Sequence, residues 1–153
     1  MIKRKSAGAV IFRKEFLANE NIKIQYLLLS YSPIVGRKNK DYWGFAKGTI
    51  EEGEKTIDTI KREVEEETGL KNIKFIKEFK TIERYFFKIE GETVFKTVFY
   101  LLAEVFTKEI KLSFEHKDFA WLEYKEALEK LSFKNAKEIL KKANNFLELL
   151  NNK

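Results

Sequence analysis

The amino-acid sequence predicts a mixed α/β domain of the α+β class, in which strands outnumber helices, over residues 1–150. Two observations lead to this prediction: strand-like segments recur along the chain, and three segments carry apolar residues at helical spacing. A third observation is that no repeat, low-complexity stretch or linker divides the 153 residues, which suit one hydrophobic core.

The first strands are predicted from apolar segments. Residues 6–13 and 22–32 are rich in β-branched, aliphatic and aromatic residues, and a polar turn separates them. Residues 33–41 hold the only proline and a basic run, which favours a loop. A short aromatic stretch follows at residues 42–45.

The next element is a predicted helix over residues 56–68. Its apolar stripe consists of Ile57, Ile60 and Val64. Thr56 is a candidate N-cap, and Gly69 stands where a left-handed C-terminal residue is expected.

The second half of the chain predicts a long hairpin, a strand and two helices. Residues 73–87 and 93–106 form the hairpin, and residues 118–123 form the strand. Residues 124–131 and 133–150 are predicted to be helical. The apolar stripe of the last helix is Phe133, Ile139, Leu140, Phe146 and Leu149.

Composition limits the classes of site and location. The chain has no cysteine, which excludes disulfides, thiolate metal sites and a cysteine nucleophile, and is compatible with a reducing cytoplasm. The first apolar run ends at Arg13, too soon for a signal peptide or a membrane span. A cytoplasmic protein without a membrane partner is therefore expected.

Charge is distributed unevenly along the chain. The net charge is +6, from 30 Lys and Arg against 24 Asp and Glu. That excess is compatible with a polyanionic partner, but charge alone favours a lysine-rich solvated surface. Residues 51–67, in contrast, are strongly acidic. They would repel phosphate unless a metal ion came between them.

The acidic stretch places carboxylates on one side of the predicted helix. Glu63, Glu66 and Glu67 lie at positions i, i+3 and i+4. Carboxylate oxygens suit Mg²⁺, which can also bridge to substrate phosphates. Arg62 can pair with Glu54 or orient one of the glutamates. An ordinary acidic, solvated helix face is the alternative interpretation of the cluster by itself.

The surrounding residues extend this cluster into a longer motif. Its pattern is Gly, five residues, Glu, seven residues, then Arg-Glu-aliphatic-x-Glu-Glu-x-Gly-aliphatic. The matching residues are Gly48, Glu54, Arg62, Glu63, Val64, Glu66, Glu67, Gly69 and Leu70. A chance match in a chain of this length has a probability on the order of 10⁻⁷ at average residue usage. The sequence therefore resembles the Nudix hydrolase family.

The resemblance implies a mixed β-sheet sandwiched between helices, with the motif as loop–helix–loop. It implies that Glu63, Glu66 and Glu67 bind Mg²⁺, or Mn²⁺ as a substitute, with help from the backbone carbonyl at Gly48. Members of the family differ in which glutamate is the general base. Glu115, ahead of the 118–123 strand, is a candidate; the alternative is an ordinary exposed loop acid.

Stretches outside the motif resemble the asymmetrical diadenosine tetraphosphate hydrolases within the family. Residues 43–48 resemble their Trp-x-x-Pro-Lys-Gly segment, with Ala46 in place of proline. Residues 96–100 resemble a Lys-Thr-Val strand, and residues 115–134 resemble the C-terminal stretch. A dinucleoside polyphosphate is therefore the expected substrate.

Basic and aromatic residues are the candidates for binding that substrate. Lys47 and Lys96 are expected to contact phosphates, with Arg37 as an outer contact. Tyr85 and Phe133 align with base-stacking aromatics of the subfamily. The remaining candidates are Trp43, as an aromatic surface, and His116, as a positioning hydrogen-bonding residue. Core packing is the alternative for each of the three aromatics.

The predicted reaction is Mg²⁺-dependent hydrolysis of diadenosine tetraphosphate to ATP and AMP, by a protein expected to be monomeric. One alternative keeps the chemistry but removes pyrophosphate from the 5′ end of RNA, or cleaves another nucleoside diphosphate compound. An alternative of another class is a nucleotide sensor without catalysis, which the intact set of motif carboxylates disfavours.

Overall fold

The computed structural model describes residues 1–31 and 41–151. In these ranges, seven strands and three helices follow one another along the chain. The strands are β1 (Ile2–Phe16), β2 (Ile22–Tyr31), β3 (Tyr42–Gly44), β4 (Ala46–Thr49), β5 (Lys74–Ile89), β6 (Glu92–Glu104) and β7 (His116–Leu122). The helices are α1 (Thr56–Thr68), α2 (Tyr124–Lys130) and α3 (Lys134–Asn151).

All the strands belong to one mixed sheet. Its order is β3-β2-β1-β6-β5, with β4 also paired to β1 and β7 also paired to β2. The pairing of β1 with β6 is parallel, whereas the other pairings are antiparallel. The long strand β1 therefore connects β4, which carries Gly48 of the motif, to the β5–β6 hairpin.

A hydrophobic core lies on each face of the sheet. On one face, α2 and α3 contribute Ala127, Leu140 and Ala143 to a core that includes Phe12 and Tyr26. On the other face, α1 packs through apolar side chains against β1 and β2: its Ile60 and Val64 join Ala9, Leu27 and Leu29. Helices thus cover both faces of a mixed sheet, which confirms the predicted fold class.

Several predicted boundaries and side-chain positions are wrong in detail. Strand β1 begins at Ile2 and not at residue 6, and β4 was not predicted. The N-cap of α1 is Lys55, with no capping side-chain hydrogen bond, and Thr56 is already helical. The carbonyl of Lys55 accepts the backbone N–H of Thr59, so the first helical hydrogen bond starts one residue earlier than predicted.

Two residues of the predicted apolar stripes are exposed. Ile57 is 37% exposed because it lies in the first turn of α1, at the end of the buried side that Ile60 and Val64 form. Leu149 is 66% exposed, because α3 buries Leu140 and Leu147, whose spacing excludes position 149.

The C-terminal end of α1 is as predicted. Gly69 adopts a left-handed conformation with φ of 77°, and its N–H donates to the carbonyl of Glu65 at 2.8 Å. No helix within the described ranges is long and apolar enough to cross a membrane.

Candidate active site

Helix α1 positions the motif side chains because its apolar side is fixed against the sheet. Ile60 and Val64 are fully buried, which places Glu63 and Glu67 at the edge of the same interface. Glu67 is itself only 4% exposed. A carboxylate at such a position needs partners or a cation, because burial without compensation disfavours the charged form.

Arg62 is the centre of an ion-pair network at the start of the motif. Its Nε donates to Glu54 Oε2 at 2.8 Å and its Nη2 donates to Glu54 Oε1 at 3.0 Å. Its Nη1 donates to Glu63 Oε1 at 2.8 Å, and Nη2 also donates to the carbonyl of Thr49 at 3.1 Å. The hydrogen bonds that Glu54 accepts from Arg62 and from the hydroxyl of Thr59 lower the pKa of Glu54 to about 2. Arg62 therefore both pairs with Glu54 and orients a predicted metal ligand.

Glu63 lies directly against Gly48, the first residue of the motif. A Cβ atom added at Gly48 would be 1.9 Å from Glu63 Cδ and 2.2 Å from its Oε1. Glycine at this position therefore leaves the space that the Glu63 carboxylate occupies. Burial raises the pKa of Glu63, although the hydrogen bond from Arg62 opposes that change.

Glu67 is held from the opposite side by His116 at the start of β7. The Nε2–H group of His116 donates to Glu67 Oε1 at 2.9 Å, and the hydroxyl of Tyr31 approaches the same oxygen at 3.5 Å. Burial raises the pKa of Glu67, and His116 opposes the change. The second oxygen, Oε2, is buried and has no hydrogen-bond partner among the described residues. Its position suits direct binding of a hard cation.

The three predicted metal ligands do not converge in the described part of the chain. No group of three acidic or histidine side chains there is close enough to hold a metal ion. Glu66 is 58% exposed at its side chain and lies 3.7 Å from Arg62 Nη1. Glu115 is exposed in the turn before β7, and its charge raises the pKa of both Glu63 and Glu67.

The two predicted phosphate-binding lysines share one face of the sheet, because Lys47 pairs with Gly8 and Lys96 with Arg4 of β1. Burial lowers the pKa of Lys47, while the charges of Glu83 and Glu67 raise it. Burial also lowers the pKa of Lys96, and the positive charges of Lys47 and Arg4 add to that effect. Cations in such a partly dehydrated position attract anions more strongly than exposed lysines do.

The three aromatic residues predicted to contact substrate have different environments. Phe133 packs edge-on against Tyr42, with ring centroids 5.4 Å apart. Tyr85 is half-buried, and burial followed by the charge of Glu83 raises its pKa to about 12. Trp43 is engaged in local structure, since Lys130 Nζ lies 4.3 Å from its ring centroid and its backbone N–H donates to Ser132.

Some site residues lie outside the predictions or outside the structure. Arg37 and the neighbouring basic loop residues fall outside the described ranges. Tyr31 and Tyr42 were not predicted, yet their rings stack 4.9 Å apart, and Tyr31 packs edge-on against His116. Glu83 was also missed. Its two-residue spacing from Tyr85 on one strand was the available signal.

The arrangement combines an acidic helix side with a basic sheet face. Glu67 offers an unpaired buried oxygen, and Gly48 leaves room for the carboxylate of Glu63. Oxygen donors of this kind fit Mg²⁺ or Mn²⁺. The adjacent lysines fit phosphate groups. Together they can support hydrolysis at a phosphorus atom.

Comparisons with known proteins agree with this chemistry. Residues 3–143 match the family described as NUDIX domain. The asymmetrical bis(5′-nucleosyl)-tetraphosphatase of Mus musculus is 33% identical over 148 residues, which cover 94% of this chain and 95% of the relative. The crystal structure of a C. elegans Ap4A hydrolase binary complex has a TM-score of 0.75 and 28% identity, with 95% and 98% of the two chains covered.

A third similarity is shorter. The RNA pyrophosphohydrolase of Bartonella bacilliformis is 36% identical over 75 residues, which cover 49% of this chain and 41% of that protein. The family match spans most of the chain and includes the motif from Gly48 to Leu70, and the full-length relatives are hydrolases. The chain therefore belongs to the Nudix hydrolase family.

Proposed function

We propose that this Nudix hydrolase cleaves dinucleoside tetraphosphates asymmetrically. Water attacks a phosphorus atom near one end of the phosphate chain, and the bridging P–O bond to the remaining phosphates breaks. With diadenosine tetraphosphate the products are ATP and AMP. The proposal is supported by full-length relatives named for this activity.

The observation that carries the proposal is the placement of Lys47 between acidic and basic parts of the site. Lys47 lies close enough to Glu67 for that carboxylate to raise its pKa, and close enough to Lys96 to lower the pKa of Lys96. A phosphate chain bound along these two lysines would therefore pass next to Glu67. This placement would put phosphate beside a carboxylate that is proposed to hold the ion.

Mg²⁺, with Mn²⁺ as a substitute, would draw together Glu63, Glu66 and Glu67, which do not converge in this structure, and would be held by them and by the carbonyl at Gly48. When bound, the ion lowers the pKa of a water molecule and neutralises charge on the phosphoryl group. His116 keeps one oxygen of Glu67 occupied and leaves the other available. Arg62 fixes the carboxylate of Glu63.

The remaining residues have roles in substrate binding and proton transfer. Glu115 is our candidate for accepting the proton of the attacking water, because its charge reaches both Glu63 and Glu67. Tyr85 and Phe133 would stack on the bases, each contact contributing about 1–3 kcal/mol. Arg37 would act as an outer phosphate contact. A cytoplasmic location, a single domain and a monomeric state stay predictions from the sequence.

Replacement of Glu67 by Gln tests the mechanism. Glu67→Gln keeps the size of the side chain and is expected to lower kcat by about 10²–10⁴-fold, the range typical for loss of an essential acid, base or ligand. Glu65→Gln is the matched control, because Glu65 is exposed on the same helix. An active Glu67→Gln variant would remove the mechanism.

A second candidate is release of pyrophosphate from triphosphorylated RNA, which the shorter similarity to the Bartonella protein favours. The two substrates are separated by kcat/KM measured for diadenosine tetraphosphate and for a short triphosphorylated RNA under identical Mg²⁺. A higher value for the RNA would replace the proposed substrate and keep the chemistry.

A further inference from the structure

Glu83 is an acidic residue within the basic sheet face, on a strand next to Lys96. In the β5–β6 pairing Tyr85 lies opposite Lys96, and in the β1–β6 pairing Arg4 lies beside Lys96. Glu83 is two residues from Tyr85 on β5, so both side chains point to the same face. It is therefore diagonal to Lys96, at about 7–8 Å between backbone positions, which long side chains span.

A second diagonal neighbour of Glu83 on this face is Tyr100, and Val98 lies directly opposite Glu83. Thr81 lies opposite Tyr100, so Glu83 is diagonal to Tyr100 as well. Tyr100 and Lys47 both border Gly8, where an added Cβ would lie 3.0 Å from Tyr100 Cε1 and 2.7 Å from Lys47 Cβ. The missing side chain lets the two come together. Glu83 thus lies between Lys96 on one side and the Tyr100–Lys47 pair on the other.

The charge of Glu83 acts on both lysines. It raises the pKa of Lys47 and of Lys96, in opposition to burial, which lowers them. It also raises the pKa of the hydroxyl of Tyr100. Because Glu83 is half-buried, solvent screens these interactions only partly. Glu83 therefore supplies a negative charge that acts on both lysines.

We propose that Glu83 is a specificity-determining residue, which competes with substrate phosphates for Lys47 and Lys96 and weakens the binding of the more highly charged chains. This inference rests on the proposed function, in which the same lysines bind the phosphate chain. Loss of the carboxylate removes a nearby negative charge from two neighbouring cations. Phosphate binding then becomes stronger, and the gain grows with the number of phosphates.

The test compares Glu83→Gln with wild type in two measurements. Titration calorimetry with inorganic tripolyphosphate at fixed free Mg²⁺ gives the dissociation constant, which we expect to fall about tenfold. Steady-state kinetics with diadenosine tri-, tetra- and pentaphosphate separate KM from kcat. We expect KM to fall most for the pentaphosphate, with a kcat change of roughly twofold or less.

Two variants serve as controls. Glu78→Gln removes the same charge from an exposed position of β5 and is expected to leave the dissociation constant unchanged. Glu83→Asp keeps the charge and is expected to resemble wild type. If Glu83→Gln lowers the melting temperature, the stabilisation by a fixed tripolyphosphate concentration is compared instead, and it should be larger than in wild type.

Failure of the proposed role of Glu83 can be distinguished from failure of the proposed function. Unchanged or weaker tripolyphosphate binding in Glu83→Gln would overturn the role of Glu83, even if wild type hydrolyses diadenosine tetraphosphate as proposed. Failure of the proposed function has a different signature: wild type does not turn over diadenosine tetraphosphate, and Lys96→Met does not weaken tripolyphosphate binding.

Discussion

Gly48→Ala adds one methyl group next to Glu63 and is expected to reduce activity much more than stability. In Gly48→Ala, the new Cβ would lie 1.9 Å from Glu63 Cδ, whereas ordinary contact begins at 3.4 Å. The carboxylate must therefore move by about 1.5 Å, a distance taken from this geometry. The backbone of Gly48 does not have a positive φ, so alanine itself is tolerated there.

The expected losses of stability and activity follow from the displacement of the Glu63 carboxylate. Moving its carboxylate breaks the 2.8 Å hydrogen bond from Arg62. Because both side chains are partly exposed, 27% and 16%, we expect a loss of only about 1 kcal/mol in the free energy of unfolding. A displacement of about 1 Å in a catalytic group can reduce the rate about 10²-fold, so kcat/KM should fall by at least that factor.

Two assays on the same preparation measure these effects. Urea unfolding followed by circular dichroism gives the stability, and release of ATP from diadenosine tetraphosphate gives kcat/KM. Gly44→Ala is the matched control, since its Cβ would lie 3.6 Å from Tyr31, an ordinary contact. If Gly48→Ala keeps kcat/KM within about threefold of wild type while folded, well below the loss expected for a displaced catalytic group, Glu63 does not act from this position.

Three further predictions concern His116, Tyr26 and Glu54. His116→Phe removes the hydrogen bond to Glu67 and should raise the Mg²⁺ concentration for half-maximal activity about 10–100-fold; an unchanged metal titration would contradict this. Tyr26→Phe removes the buried 2.7 Å hydrogen bond to Asn144 and should lower the free energy of unfolding by about 1–2 kcal/mol, measured in urea, with kcat retained. The pKa of Glu54 is lowered from 4.5 to about 2, so its contribution to stability is present above about pH 4.5 and is lost as the pH falls toward 2. Melting temperatures of Glu54→Gln should therefore fall less steeply than those of wild type over that pH range, and parallel curves would oppose the assignment.

The local part of the site could be predicted from the sequence because its signals lie within a few residues. The spacing of Ile60 and Val64 gives the buried side of α1, and Gly69 gives its end. The motif pattern also pairs Arg62 with Glu54, which the structure shows. The fold class followed from the mixture of strand-like segments and segments with helical spacing.

The rest depends on pairings between distant residues. Strand β4 forms only because residues 46–49 pair with β1, and four residues without apolar alternation carry no strand signal. The contact of Glu67 with His116 joins residues 49 positions apart. Glu83 lies diagonal to Lys96 because of the register of β5 and β6, which a single sequence does not specify. Ile57 belongs to the apolar stripe of α1 by its spacing, but it lies in the first turn of the helix and is 37% exposed.

Asymmetric hydrolysis can be tested by analysing the products formed from diadenosine tetraphosphate and Mg²⁺. Anion-exchange chromatography of the reaction separates ATP, ADP and AMP. We expect ATP and AMP in equal amounts, at a kcat/KM above that for triphosphorylated RNA or nucleotide sugars. Formation of ADP alone, or no product while another substrate is hydrolysed, would contradict it.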